Sequence, residues 1–306
     1  MKDKIKKVPV PLSGVMLGLA ALGNLLQSYS EAIRYICGIA AAFLLILLLL
    51  KLILFPQLIK EDFKNPIVAS VAGTFAMALM LLSTYIKPFV GAAAFYIWIA
   101  AILLHAVLIV YFTFKFIVRL QMPKIFASYY IVYVGIAVAA VTAPAFEQTG
   151  IGAATFWFGL VTFILLLVLV TYRYTKYTEV PEPAQPLICI YAAPMSLCIA
   201  GYVQSVTPKS RTFLLVMLAV ATVLYVFALI KAVGYLRLKF YPSYASFTFP
   251  FVISAIAAKQ TMACCANLGQ PLPALSYLVL AETVIAVLFV IYTFVRFMMA
   301  IFSGPK

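Results

Sequence analysis

Phe43-Leu44-Leu45-Ile46-Leu47-Leu48-Leu49-Leu50 is an unbroken apolar run inside a longer stretch, about 32–55, whose only charges, Arg34 and Lys51, stand toward its two ends. A helix rises about 1.5 Å per residue and a bilayer's hydrocarbon core is about 30 Å thick, so roughly 20 apolar residues cross it. Working outward, similar stretches recur along the chain. Ten spans are expected, at approximately 11–29, 32–55, 66–86, 89–118, 123–144, 150–174, 184–206, 210–235, 243–266 and 272–302. The gaps between them are too short for a soluble domain, so residues 1–306 read as a single transmembrane domain.

Composition agrees: of 306 residues 66% are hydrophobic and 10% charged, and the mean hydropathy is +1.13. That excludes a soluble globular protein. The charges are 22 Lys and Arg against 8 Asp and Glu, a formal +14. Nucleic-acid binding would need these bases gathered on one exposed face, whereas they are scattered through short polar gaps. The opening Met1–Lys7 followed by an apolar run is like the start of a signal peptide, but no clear small-residue cleavage site follows and span one is expected to remain.

Seventeen of the 22 bases fall on one side when both termini and the even-to-odd connections are placed together: the amino-terminal lysines, the segments around 51–64, 115–124, 173–176 and 231–239, Arg296 and Lys306. Arg34, Lys87, Lys209 and Arg211 fall on the other side, and Lys259 lies within a span. Bases concentrate in cytoplasmic loops, so a cell-membrane protein with both termini in the cytoplasm is expected. The five cysteines, Cys37, Cys189, Cys198, Cys264 and Cys265, all sit within spans and read as small packing residues. None has metal-ligand spacing with a neighbouring histidine, and neither a metal nor another cofactor is expected.

Odd-numbered spans each begin near a proline: Pro11, Pro66, Pro123, Pro186 and Pro242. Five tandem helical hairpins would give that repeat; so would the general preference of proline for a helix's first turn. The odd spans are also rich in small or helix-breaking residues, with Gly14 and Gly18 in span one, Gly73 in span three, Gly135 in span five and Pro194 inside span seven. Even spans are bulkier, as in Phe95-Tyr96-Ile97-Trp98. Small residues let helices approach closely or leave space along an axis, and bulky ones suit lipid. The expected architecture is therefore all-α, ten transmembrane helices in five hairpins, with an inner ring of odd helices around a central pore.

Span nine reads Ser243-Tyr244-Ala245-Ser246-Phe247-Thr248-Phe249-Pro250-Phe251-Val252-Ile253-Ser254-Ala255-Ile256-Ala257-Ala258-Lys259-Gln260. Pro250 inside a span removes a backbone hydrogen bond and predicts a kink. At about 100° per residue Phe249 lies nearly opposite Phe247 and Phe251, sharing its face with Ala245, Ser246, Val252, Ile253, Ile256 and Gln260. One ring on a face without other aromatics suits either a hydrophobic plug across a narrow pore or a core residue filling the space beside a kink.

Two stretches, Pro11-Leu12-Ser13-Gly14-Val15-Met16-Leu17-Gly18-Leu19-Ala20-Ala21-Leu22 and Phe247-Thr248-Phe249-Pro250-Phe251-Val252-Ile253-Ser254-Ala255, resemble the tellurite-resistance/dicarboxylate transporter (TDT) family, to which TehA-like proteins and the slow anion channels of plant guard cells belong. The resemblance implies ten helices in five hairpins around a pore, commonly in a homotrimer with one pore per protomer, and a phenylalanine on the ninth helix that closes the pore. The matching position is Phe249. The family pattern implies a glycine after this residue, and Pro250 stands there instead.

Three further ionisable residues stand out within spans. Lys259, about 15 Å beyond Phe249 at helical rise, reads either as an anion attractor in the outer vestibule or as a lysine snorkelling to the headgroups. Glu282 and His105, on even spans ten and four, read as interhelical hydrogen-bonding groups or as proton-coupling groups. Paired catalytic carboxylates, an activated nucleophile and a metal cluster are all missing from the pattern, so an enzyme is not expected. Two functions remain open: a channel passing small inorganic or carboxylate anions, and a proton-coupled exporter of dicarboxylate, sulfite or tellurite-type anions.

Overall fold

The computed structural model describes residues 2–303; Met1 and residues 304–306, with Lys306 among them, lie outside the described residues. Among the described residues eight helices are long and apolar enough to cross a membrane, and Leu12–Leu26 and Gly135–Phe146 are shorter apolar segments. We name the principal helices α1 (Leu12–Leu26), α2 (Glu31–Leu54), α3 (Gly73–Val90), α4 (Ala93–Phe112), α5 (Val138–Thr142), α6 (Thr149–Lys176), α7 (Pro194–Ser205), α8 (Arg211–Tyr235), α9 (Phe249–Asn267) and α10 (Leu275–Phe302). Lys4 lies over the Phe302 ring, 5.5 Å from its centroid, so the two ends of the chain meet on one side.

Consecutive helices pair as hairpins, α1 with α2, α3 with α4, α5 with α6, α7 with α8 and α9 with α10. The odd members also touch in a closed cycle: α1 on α3, α3 on α5, α5 on α7, α7 on α9 and α9 back on α1. Burial separates the two sets. The spans 66–90, 182–205 and 242–267 are 67%, 94% and 67% buried over their most apolar window, whereas the even-numbered spans are 28% to 39% buried. An apolar helix that leaves most of its surface uncovered is facing lipid, because lipid does not penalise exposed leucine.

Packing alone gives little preference for one helix neighbour over another in lipid, where the hydrophobic effect between helices is absent. Hydroxyl groups supply it at every joint of the ring. Ser13 and Thr74 hydroxyls are 2.7 Å apart between spans one and three, and Ser70 donates to Ser128 at 2.7 Å between three and five. Ser205 donates to the Ala140 carbonyl at 2.6 Å between seven and five, and Ser246 to the Pro186 carbonyl at 2.6 Å between nine and seven. Thr248 closes the cycle by donating to the Gly14 carbonyl at 2.9 Å. Each such bond is worth about 0.6 kcal/mol on average and up to about 1.7 in a membrane. Ser246→Ala is expected to cost that much, read as a lowered thermal midpoint of the detergent-solubilised protein, while Ser276→Ala, exposed in the first turn of α10, leaves the midpoint unchanged.

The expected kinks at Pro194 and Pro250 are not bends within continuous helices. Residues 182–192 form a 3₁₀ helix and α7 starts afresh at Pro194; residues 242–247 form a 3₁₀ helix and α9 starts at Phe249 with Pro250 in its first turn. Proline in a first turn forfeits no hydrogen bond, because that N–H has no intrahelical partner. Its ring instead forbids the preceding segment from continuing as α-helix. Span three restarts at Gly73 after Pro66–Val71, and span five carries a 3₁₀ turn at Gly135–Ala137 between two short helices. Span five, expected as one helix over 123–144, is thus a chain of short pieces. Backbone irregularity inside a membrane is tolerated where protein buries it or a cavity adjoins it.

Candidate functional site: two cavities divided at Phe249

The breaks in the inner ring lie around one cavity of about 410 Å³ and a second of about 460 Å³ lies beyond it. Phe249 and Leu197 line both, the only two of the described residues that do so. The septum between the cavities is therefore built from the first residue of α9 and the first turn of α7. Phe249 is 6% exposed. Phe247 and Phe251 point away from the axis, with ring centroids 5.8 Å and 4.7 Å from Phe289 of α10. Phe251 also meets Tyr225 of α8 at 5.5 Å.

Why Phe249 stands where it does follows from helix one. A methyl group built on Gly18 would come within 2.5 Å of Thr248 Cβ and 3.1 Å of the Phe249 nitrogen; one on Gly14 would come within 3.1 Å of Ala245 Cβ. The two glycines thus let the backbone break of span nine lie directly against α1. Thr248, φ −98° and ψ −93°, is the residue that turns the chain from 3₁₀ to α.

The first cavity is mostly apolar. Gly14, Gly135, Pro194 and Pro250 line it together with Thr74, Tyr130, Ser243 and Ser246, and no charged side chain contributes. Helices α1, α7 and α9 begin beside it, so the positive ends of their dipoles are directed toward it. The second cavity is different: Lys259, Arg34, Asn24, Gln27, Gln204 and Gln260 line it and no carboxylate does.

Lys259 does not stand free in this cavity. Its Nζ donates to the Leu25 carbonyl at 2.9 Å and to the Ser28 hydroxyl, and it lies over the Tyr29 ring at 5.2 Å. Arg34 donates to the Asn24 side chain at 3.3 Å and lies 3.7 Å from Glu31. Lys209, in the connection after α7, donates to the Tyr202 carbonyl at 2.9 Å and to that of Val206. Burial there holds its pKa below the ordinary lysine value, with the nearby Cys264 thiol opposing the shift.

Gly18 and Gly73 line neither cavity. Gly73 gives room to a ring instead: methyls built on Gly73 and Gly135 would come within 3.3 Å and 3.1 Å of His105 Cε1. His105, fully buried on α4, shares a 2.9 Å hydrogen bond with the Val132 carbonyl at the break of span five. Glu282, 2% exposed on α10, has Ser254 and Tyr225 as neighbours. Neither His105 nor Glu282 lines a cavity. Leu197 was not singled out in the sequence, where it is one leucine among many; only the closure of the ring distinguishes it.

A protein-family model described as SLAC1, voltage-dependent anion channel, matches residues 7–298, nearly the whole chain. A search of curated proteins finds no match.

Proposed function

Because the chain belongs to the SLAC1, or voltage-dependent anion channel, family, an anion-transport family into which the TDT proteins fall, we propose that it is a passive anion channel whose conduction path runs through the inner ring and is closed at Phe249. The observation that carries this reading is the shared lining: one aromatic ring and one leucine separate an uncharged cavity from one bearing only positive charge. A hydrophobic constriction closes a pore by excluding water, and needs no ligand to do so. With no charged cage in the first cavity, a passing anion would be held weakly, as conduction requires. Small inorganic anions and carboxylates fit such a path. In this reading the protein is a homotrimer in the cell membrane with both termini cytoplasmic, and cytoplasmic anions enter through the first cavity.

The exporter reading assigns proton coupling to Glu282 or His105. Both lie on the outer helices and line neither cavity, His105 standing behind Gly135 of the first cavity's wall, and His105 already bonds a backbone carbonyl. Recording from reconstituted protein tests the choice. The channel predicts a current whose reversal potential follows the anion gradient and ignores an imposed pH gradient, and Glu282→Gln is expected to leave that current within about twofold, as for a group remote from the path. A saturable flux that collapses without a proton gradient, or that Glu282→Gln abolishes, would establish the exporter instead.

A further inference from the structure

Five inner helices that begin on one side must end on the other, and helix ends carry partial negative charge on unpaired carbonyls, equivalent to about half an elementary charge each. Left alone, the far mouth of the ring would repel anions. Lysines stand on three of these ends. Lys259 of α9 donates to Leu25, in the last turn of α1, at 2.9 Å. Lys87 of α3 donates to Ala145, in the last turn of span five. Lys209 donates to Tyr202, in the last turn of α7, at 2.9 Å and to Val206, its capping residue. Two of the acceptors, Leu25 and Ala145, themselves line the second cavity. The remaining ends are accounted for: α3 is closed by the Gly91 N–H on the Lys87 carbonyl, and α9 by the N–H groups of Leu268, Gly269 and Gln270.

We propose that Lys87, Lys209 and Lys259 act as a set that reverses the sign of the outer mouth, each capping the carbonyl end of an inner helix, Lys87 and Lys259 that of a neighbour and Lys209 that of the helix it follows, so that an anion meets net positive charge where the helix dipoles would present negative. The inference deepens the channel reading and rests on it. Topology does not call for these bases, since they lie on the side that bases usually avoid, and Lys87 donates across to a different hairpin instead of to its own helix.

The test uses the Phe249→Ala protein in planar bilayers, so that conduction is measured apart from gating. Changing all three lysines to Gln is expected to lower anion conductance about tenfold at low salt, with the loss shrinking toward nothing at 1 M salt as the charges are screened, and to shift the reversal potential toward cation permeability. The three-Arg counterpart, which keeps charge and donors, restores both. Unchanged conductance and selectivity in the Gln protein, or an equal loss in the Arg protein, would overturn the proposal. If the triple variant is not recovered folded, the single Lys209→Gln and Lys87→Gln proteins carry the same test with smaller, salt-dependent losses. Phe249→Ala protein that passes no anion current in any background would remove the channel reading and this inference with it, whereas current without lysine dependence removes this inference alone.

Discussion

Phe249→Ala is expected to raise anion conductance on the order of 10- to 100-fold over the unmodified protein. The ring forms the septum from one side and Leu197 from the other, so truncation to a methyl joins the two cavities. Each factor of ten corresponds to about 1.4 kcal/mol of barrier removed, a modest demand on a hydrophobic constriction that becomes wetted. Stability should fall by less than the about 3–5 kcal/mol typical of a fully packed phenylalanine, because Phe249 faces space on both sides whereas Phe247 and Phe251 are packed against Phe289. Phe251→Ala is therefore the informative companion: it should destabilise more and conduct less. If Phe249→Ala stays silent while Leu197→Ala conducts, the constriction is assigned to the wrong side of the septum.

Substitution of Gly18 should be the most damaging change outside the septum. A methyl at this position would sit 2.5 Å from Thr248 Cβ and 2.8 Å from its hydroxyl, distances that real side chains do not tolerate. Either α1 withdraws, breaking the Thr248 bond to the Gly14 carbonyl, or Thr248 moves and carries Phe249 with it. Overpacking of this kind costs about 1–3 kcal/mol for one added group, so Gly18→Ala should lower the thermal midpoint clearly and Gly18→Val should prevent recovery of folded protein. Because the strain lies beside the first residue of α9, the Gly18→Ala protein is also expected to leak anions. Adding Thr248→Gly removes both clashing atoms and should return much of the lost stability, a coupling of about 1–3 kcal/mol in a double-mutant cycle. Additive losses would show that the two residues do not press on each other.

The spans were legible because lipid and water sort residues coarsely. Helices α2, α6 and α8 end within about two residues of where apolar runs placed them, the uncertainty expected for helix ends. The inner and outer sets were legible too, since glycine, serine and proline in odd spans contrast with leucine and phenylalanine in even ones. The breaks were not. An uninterrupted apolar run has the same composition whether its backbone is α or 3₁₀, so only Pro194 and Pro250 marked a disturbance, and they suggested a bend where the structure has a restart. Gly73 and Gly135 gave no sign that they make room for His105.

Hydropathy and charge, properties that each residue carries wherever it sits, were enough for the sequence alone to determine a many-spanned all-α membrane protein, its base-rich side and its hairpin repeat. The tertiary structure alone decided which groups face one another. Five hydroxyl hydrogen bonds join the ring, Leu197 stands with Phe249 between the cavities, and three lysines stand on helix ends. Apart from Lys209, which bonds the end of the helix just before it, each of these pairs residues far apart in the chain, and no local pattern records which distant carbonyl or side chain the closed ring will bring within reach.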